Sequence, residues 1–276
     1  MKVNRTRERK GYLHGYSGKE QHRLYEQADF LERWIYENID LNGIKKLLEV
    51  GCGVGAQTSI LLKRFPEMHI QGVDLSTKQI AQARRHLARA VKQGRVDFQV
   101  ADATDLSFED STFDGAFICW LLEHVPDPSS LLRETRRTLK SGSVIYCTEV
   151  QNASFFVEPY SPAISKYWFE FNDQQWSMKG DPFVGAKLGN LLLNAGYQDI
   201  ETRFITFHFD SRTPKQRSEF IKYWTELLLS GAPALLRSKR VTKQLVDQMS
   251  RELKIVADAK ESVFFYTAVQ ARARAL

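Results

Sequence analysis

Apolar positions along this chain fall into short continuous runs and stripes at helical spacing, and the first half alternates the two with little interruption. Leu24, Ala28, Leu31, Trp34 and Ile35 recur at three- and four-residue intervals, which predicts a helix from about Lys19 to Asn38 with one face on the body. Lys46 to Val50 reads as a strand, Ile60, Leu61, Leu62 and Phe65 as a second helix, and a second apolar run closes on Asp74. Ile80, Ala83, Leu87 and Val91 stripe a helix from Thr77 to Lys92. Val96, Phe98 and Val100 then give a third strand and Phe113 to Cys119 a fourth. Pro126, Asp127 and Pro128 break the chain before a helix from Ser129 to Leu139, and a fifth strand ends near Val150. Such alternation predicts an α/β fold.

Beyond Val150 the rhythm changes. Phe155, Phe156, Tyr160, Tyr167, Trp168, Phe169, Phe171 and Trp176 crowd one segment, whereas the chain as a whole is 12% aromatic. This segment, 151–182, is expected to form a lid over the site at the end of the fifth strand, or else to glue an insertion to the body. Val184 to Asn194 predicts a helix stopped at Ala195-Gly196, and Ile200 to Phe209 alternates as a strand. Phe220, Tyr223, Trp224, Leu227 and Leu228, then Leu245, Met249, Leu253 and Val256, describe two amphipathic helices separated at Gly231-Ala232-Pro233. Ser262 to Ala271 reads as the last strand. The helical pair, about 212–260, is expected to cap the substrate side or to form a dimer face.

The chemistry concentrates between Leu47 and Asp74. Glycines 51, 53 and 55 join the first strand to the second helix, where a missing Cβ allows a sharp turn and lets a ligand lie against backbone N–H groups. About twenty residues on, Asp74 ends the second strand, placed to bind both hydroxyls of a ribose. Gly51, Gly53 and Ala56 satisfy the G-x-G-x-x-G/A pattern of nicotinamide-binding folds, and Glu49, Gly51, Gly53 and Gly55 satisfy E-x-G-x-G-x-G.

Downstream residues separate the two. Asp102 follows the third strand, Leu121-Leu122-Glu123-His124-Val125 follows the fourth, and Leu139-Lys140-Ser141-Gly142 precedes the fifth. From roughly Glu32 to Val150 the chain resembles the class I S-adenosylmethionine-dependent methyltransferases, particularly their small-molecule branch of the type 11/25 kind. It departs in having Ser141-Gly142 where the family usually has Pro-Gly.

The resemblance implies a Rossmann-like, seven-stranded, mostly parallel sheet of order 3-2-1-4-5-7-6. It implies one methyltransferase domain over 1–276, with a tail and loop at 1–18, a cofactor-binding core at 19–150, the aromatic lid, and the rest of the sheet with its helical insertion at 183–276. S-Adenosyl-L-methionine is the implied cofactor, and no metal is expected. Asp102 and Ala103 would meet the adenine, although Asp102 has a plain turn-capping alternative. Asp74 would hold the ribose, with Leu75 against the ring and Gln79 on the ribose side. Cys52, within the glycine turn, and Cys119 would border the cofactor. Glu49 would hold the turn or reach the cofactor ammonium. The segment before the first strand folds over the cofactor in this branch, so Tyr16, Arg23 and Gln27 are candidates for its methionine end.

In-line methyl transfer needs alignment and, for a weakly acidic nucleophile, a base. His124 and Glu149 are the catalytic candidates, and Trp120, Phe155, Tyr160, Trp168 and Trp176 the substrate candidates. Glu158, Glu170, Asp173 and Asp181 outnumber Lys166 and Lys179 in the lid. With the aromatics, that favours an amine or heterocycle nitrogen as methyl acceptor.

Net charge of +6 changes this picture only slightly. Lys2, Arg5, Arg7, Arg9, Lys10, Arg272 and Arg274 carry much of the excess, and short charged tails are usually solvated. An RNA or protein methyltransferase is therefore the alternative, and a non-catalytic S-adenosylmethionine-binding protein the third. Against RNA, Cys119-Trp120-Leu121-Leu122 stands where nucleobase-amine enzymes carry Asn/Asp-Pro-Pro-Tyr/Phe. Cys52, Cys119 and Cys147 fit reduced thiols and a cytoplasmic protein, and neither a signal peptide nor a bilayer-spanning stretch is expected.

Overall fold

A computed structural model describes residues 12–276. The basic tail of the sequence reading, from Lys2 to Lys10, lies outside the described residues.

Ser17 caps the first helix, α1 (Gly18–Ile35), by accepting from the Glu20 N–H. β1 (Lys46–Val50), α2 (Ala56–Arg64) and β2 (His69–Asp74) follow as the apolar pattern predicts. The next predicted helix is broken at Leu87 into α3 (Thr77–His86) and α4 (Ala88–Lys92). β3 (Val96–Val100) and β4 (Phe113–Cys119) precede a single 3-10 turn at Leu122–His124, and Asp127 caps α5 (Pro128–Thr138) through the Ser130 N–H. β5 (Leu139–Val150) takes in Ser141 and Gly142, which were expected before it.

Among the described residues the sheet has eight strands, one more than expected. β1 runs parallel to β2 and β4, β2 to β3, and β4 to β5. The long last strand, β8 (Val263–Ala275), is antiparallel to β5 along one edge and to β7 (Gln198–Phe209) along the other. The extra strand is β6 (Phe156–Glu158), which continues the β5 edge of β8 at Val263 to Phe265. With β7 and β8 as sixth and seventh, the order is the expected 3-2-1-4-5-7-6.

Both faces of the sheet are buried, as parallel strands require. Leu47 and Phe117 join the core under α1 and α2, and Leu48 and Ile118 join the one under α5 and α7 (Leu188–Asn194). A 3-10 turn at Val184–Lys187 replaces the start of the helix predicted from Val184 to Asn194.

The aromatic segment is chiefly a helix, α6 (Pro162–Ser177), packed against α8 (Pro214–Arg237) and α9 (Lys243–Asp258). Contrary to the expected break, α8 runs through Gly231-Ala232-Pro233 and ends at Ser238. Gly231 serves close approach instead, since a Cβ there would stand 2.7 Å from the Phe171 ring. Burial of Leu228, Ala232 and Leu235 on the same face outweighs the interior proline. Among the described residues no helix is long and apolar enough to cross a membrane.

Candidate active site

A cavity of about 440 Å³ opens at the C-terminal ends of β1 to β4, the end at which open α/β sheets hold ligands. Its floor is the glycine turn. Gly51 and Gly53 have φ of +75° and +52°, so two left-handed residues turn the chain from β1 towards α2 with backbone facing the cavity.

Asp74 is locked at the rim. The Gly53 N–H donates to its Oδ2 at 2.9 Å and the Ser76 N–H to its Oδ1 at 2.8 Å. Burial raises its pKa, while those two donors act in the opposite direction. Leu75 and Gln79 stand beside it on the wall, and Gln79 accepts from Gln21 Nε2 of α1 at 2.9 Å. Asp102 and Ala103 line the cavity beyond β3, where Asp102 also takes the capping role of its alternative reading by accepting from the N–H and hydroxyl of Thr104. Cys52 and Cys119 complete this part of the wall.

The opposite wall comes from the segment before β1. Tyr16, Arg23 and Gln27 all line the cavity, and Arg23 Nη1 donates to Gln27 Oε1 at 2.6 Å. Arg23 also grips Glu20 with two hydrogen bonds, of 2.8 and 2.6 Å.

Several expected residues stand elsewhere. Glu49 is buried off the cavity, where its carboxylate accepts from the Thr58 hydroxyl of α2 at 2.6 Å; it holds neither the turn's N–H groups nor the cavity wall. Burial pushes its pKa up to about 8. Gly55 heads α2 with φ of +82°, and a Cβ there would press on Leu87 and Ala83, so it serves helix packing.

Glu149, expected as a base, is fully enclosed. Its Oε1 accepts from the Leu121 and Leu122 N–H groups at 3.0 and 2.7 Å, and its Oε2 from Glu123 N at 3.3 Å. Trp120, with φ of +56°, swings the chain so that those three N–H groups converge on one carboxylate. Burial and then the neighbouring Glu123 raise the Glu149 pKa to about 8, against the pull of those donors. Through those donors Glu149 ties down the turn that carries His124.

Of the substrate candidates, Trp120 lines the main cavity, and Trp168 a second one of about 60 Å³ beside it. Tyr160 and Trp176 are exposed, and Phe155 stacks on Trp224 at 5.2 Å. The lid reading is corrected accordingly: Phe156, Tyr160, Phe169 and Trp176 are exposed, whereas Tyr167, Trp168 and Phe171 pack α6 against α8, the latter two also lining the second cavity. Its acids are corrected too. Glu170 and Asp173 face Arg240 at 3.3 and 3.9 Å, and Asp181 faces Lys187 at 2.5 Å.

Among the cavity residues that the sequence reading missed are Tyr12, His14 and Glu123. The Tyr12 and His124 rings meet edge-on at 4.9 Å, and the His14 and His124 rings are 6.4 Å apart. Glu123 Oε1 lies 3.6 Å from His124 Nε2, and its Oε2 accepts from Gln175 Nε2 at 2.7 Å. Ser230 donates its hydroxyl to the Leu227 carbonyl, so the 2.5 Å contact between His14 Nδ1 and Ser230 Oγ needs Nδ1 as donor. The remaining lone pair sits on His14 Nε2. Burial, then the charges of Arg23 and His124, hold its pKa well below the ordinary histidine value. Its signal was the run Tyr12-Leu13-His14-Gly15-Tyr16, dense in polar rings just before α1.

A glycine turn, an acidic strand end and a second acidic corner along one wall define a nucleoside-binding α/β protein of the Rossmann-like class. Residues 48–147 match the family model described as a methyltransferase domain. The O-methyltransferase cnsE of Penicillium expansum is 31% identical over 195 residues, covering 69% of this chain and 67% of that protein. Phosphoethanolamine N-methyltransferase of Triticum aestivum is 26% identical over 69% of this chain, which spans only 35% of the wheat protein. Among solved structures, Haemonchus contortus phosphoethanolamine N-methyltransferase 2, with phosphomonomethylethanolamine and S-adenosylhomocysteine, superposes with a TM-score of 0.55 at 20% identity. That match covers 90% of this chain and 52% of the nematode one, and it shows the shared fold. The chain belongs to the class I S-adenosylmethionine-dependent methyltransferases of small-molecule type. Its cofactor is S-adenosylmethionine, and a cavity lined by Asp102, Asp74, Gly53 and Arg23 fits that elongated molecule.

Proposed function

We propose that this methyltransferase acts on an amine or heterocycle nitrogen of a small molecule. Asp74 holds the cofactor ribose, Asp102 and Ala103 the adenine, and Tyr16, Arg23 and Gln27 the methionine end. When bound, the cofactor supplies a methyl group on an already electrophilic sulfonium. The chain's share is to orient the acceptor nitrogen, exclude water, and take the proton that the nitrogen gives up, which falls to His124 with Glu123 beside it.

One observation carries the choice of nitrogen. The buried carboxylate of Glu123 borders both the main cavity and the aromatic side cavity, so an amine meets one anion among aromatic faces. The wheat and nematode relatives are named as N-methyltransferases, which agrees with it. A second reading is methylation of a hydroxyl oxygen, because a histidine next to a carboxylate suits deprotonation of a hydroxyl and the Penicillium relative is named an O-methyltransferase.

Transfer of labelled methyl from S-adenosylmethionine to a panel of amines, alcohols, phenols, thiols and carboxylates tests this. Methylated amines are expected. Product only from phenols or carboxylates removes the nitrogen assignment, and cofactor binding without any product supports a binding protein. Salt-sensitive retention of bulk tRNA on a filter would instead favour a nucleic-acid substrate.

A further inference from the structure

The side cavity of about 60 Å³ adjoins the main one, sharing His14, Gln27, Trp120, Glu123 and Leu227 as walls. It is several times the roughly 10–15 Å³ that one water needs, so it takes a compact group rather than a lone solvent molecule. Two of its walls carry polar atoms that the fold leaves unused. The indole Nε1 groups of Trp120 and Trp224 are both buried and have no hydrogen-bond partner among the described residues. Trp224 is only 3% exposed. A buried donor without a partner costs on the order of 1–3 kcal/mol. Trp120 adds backbone strain, since its positive φ disfavours a bulky side chain. By contrast, Trp168 Nε1 in the same wall donates to the Asn152 carbonyl at 3.0 Å, and the Tyr266 hydroxyl donates to Asn152 Oδ1 at 2.9 Å. The two orphaned donors thus stand beside a Trp168–Asn152–Tyr266 set that pairs internally.

We propose that this side cavity is the recognition subsite for the methyl acceptor, and that it takes a compact, uncharged head bearing a carbonyl, ether or ring-nitrogen acceptor for the Trp120 and Trp224 N–H groups. The proposal rests on the small-molecule reading above and specifies the end of the acceptor remote from the methylated nitrogen. Charge selects against anions. Besides tyrosines, the ionisable groups on the wall are His14, held neutral by its depressed pKa, and Glu123, a carboxylate. A carboxylate or phosphate in that space meets a like charge and two neutral donors; among the described residues no lysine or arginine lines it, and the nearby Arg23 is already paired with Glu20. Aromatic faces of Phe171, Trp168 and Trp224 suit a flat or cyclic head.

Indole resonances provide a direct readout, since the chain has five tryptophans. The ¹⁵N-labelled protein, saturated with S-adenosylhomocysteine, is titrated with cyclopentanone, with its isostere methylenecyclopentane, and with acetate. Trp120→Phe and Trp224→Phe assign the two signals and remove the donors while keeping a ring. Cyclopentanone is expected to move both indole N–H signals and to bind about fivefold or more tighter than methylenecyclopentane, as befits one or two neutral hydrogen bonds. That preference should fall to near unity in the double variant, whereas acetate should move neither signal. Equal binding of ketone and alkene, an undiminished preference in the double variant, or displacement of both indole signals by acetate would each overturn the proposal. None of these outcomes depends on methyl transfer, so failure of the nitrogen assignment shows separately in the amine panel.

Discussion

Gln175 Nε2 of α6 donates to Glu123 Oε2 at 2.7 Å, and to the Glu123 carbonyl at 3.2 Å. This double contact ties the helix after β6 to the 3-10 turn that presents His124. Next to it, Asp181 N donates to the same carbonyl at 2.8 Å, and Gly180 passes so close that a Cβ would lie 2.4 Å from that oxygen. The aromatic helix thus reaches Glu123 through Gln175, while its Trp168 and Phe171 rings line the side cavity. Gln175→Ala should release the Glu123 carboxylate. Hydrogen bonds to charged groups contribute about 1.5–3 kcal/mol, so kcat/KM for an amine should fall roughly tenfold or more. Affinity for S-adenosylhomocysteine, measured by calorimetry, should not change. A parallel loss of cofactor affinity would mean that Gln175 supports the whole cavity and not the acceptor side.

Asp74 makes the complementary case on the cofactor side. Its carboxylate is held by Gly53 N and Ser76 N, which fixes it at the end of β2. Asp74→Asn keeps the shape and removes the charge, so calorimetry should show S-adenosylhomocysteine binding weakened by about tenfold or more. Unchanged affinity would remove Asp74 as the ribose ligand.

Burial of Glu49 makes stability depend on pH in a stated direction. Its folded pKa is about 8 against an ordinary 4.5, so the folded chain holds a proton that the unfolded chain has released anywhere between those values. Stability from this group is fully present below pH 4.5 and is lost as pH rises towards 8. One proton corresponds to about 1.4 kcal/mol per pH unit. Glu49→Gln keeps an acceptor for the Thr58 hydroxyl and cannot ionise. Urea unfolding at several pH values across this interval should therefore give a flatter profile for the variant. An unchanged slope would place the titration elsewhere.

The cofactor side was legible because its signals are local. Three glycines and Asp74 sit on one strand-turn-helix-strand unit, and Asp102 follows the end of the neighbouring strand, so spacing alone brings them to one sheet edge. The acceptor side was not. His14 comes from before α1, Trp120 from the end of β4, Trp224 from α8 and Tyr266 from β8, and no periodicity marks residues that meet only after folding. Aromatic density between 151 and 182 was real, but a one-dimensional count does not tell a wall from a glue, and Trp168, Phe155 and Trp224 pack on one another. Gly231-Ala232-Pro233 misled for a related reason: the residues that punctuate a chain also permit close helix contacts.

Glu149 separates a structural carboxylate from a chemical one. With a pKa of about 8 it is mainly protonated at neutral pH, so Glu149→Gln mimics its usual state and keeps an oxygen for the Leu121 and Leu122 N–H groups. Methyl transfer at pH 7 should stay within about threefold of the parent, within the cost of less than one neutral hydrogen bond. Glu149→Ala should leave three buried N–H groups unpaired and lower thermal stability markedly. A hundredfold loss of kcat in the glutamine variant, at unchanged stability, would restore Glu149 as a base.

His124 and His14 compete for the role of proton acceptor, and their surroundings differ in sign. Glu123 Oε1 lies 3.6 Å from His124 Nε2, within reach of a proton arriving there. His14 has the Arg23 charge nearby and a buried ring, both of which oppose a positive charge. Proton transfer should therefore run to His124. General base catalysis contributes about a hundredfold to ten-thousandfold, so His124→Ala should lower kcat at least a hundredfold with cofactor affinity intact. His14→Ala should act mainly on KM, because its ring walls both cavities. If the order is reversed, His14 takes the proton through its free Nε2 and His124 is a wall residue. A small effect of both variants would point to an acceptor that reaches the enzyme already deprotonated.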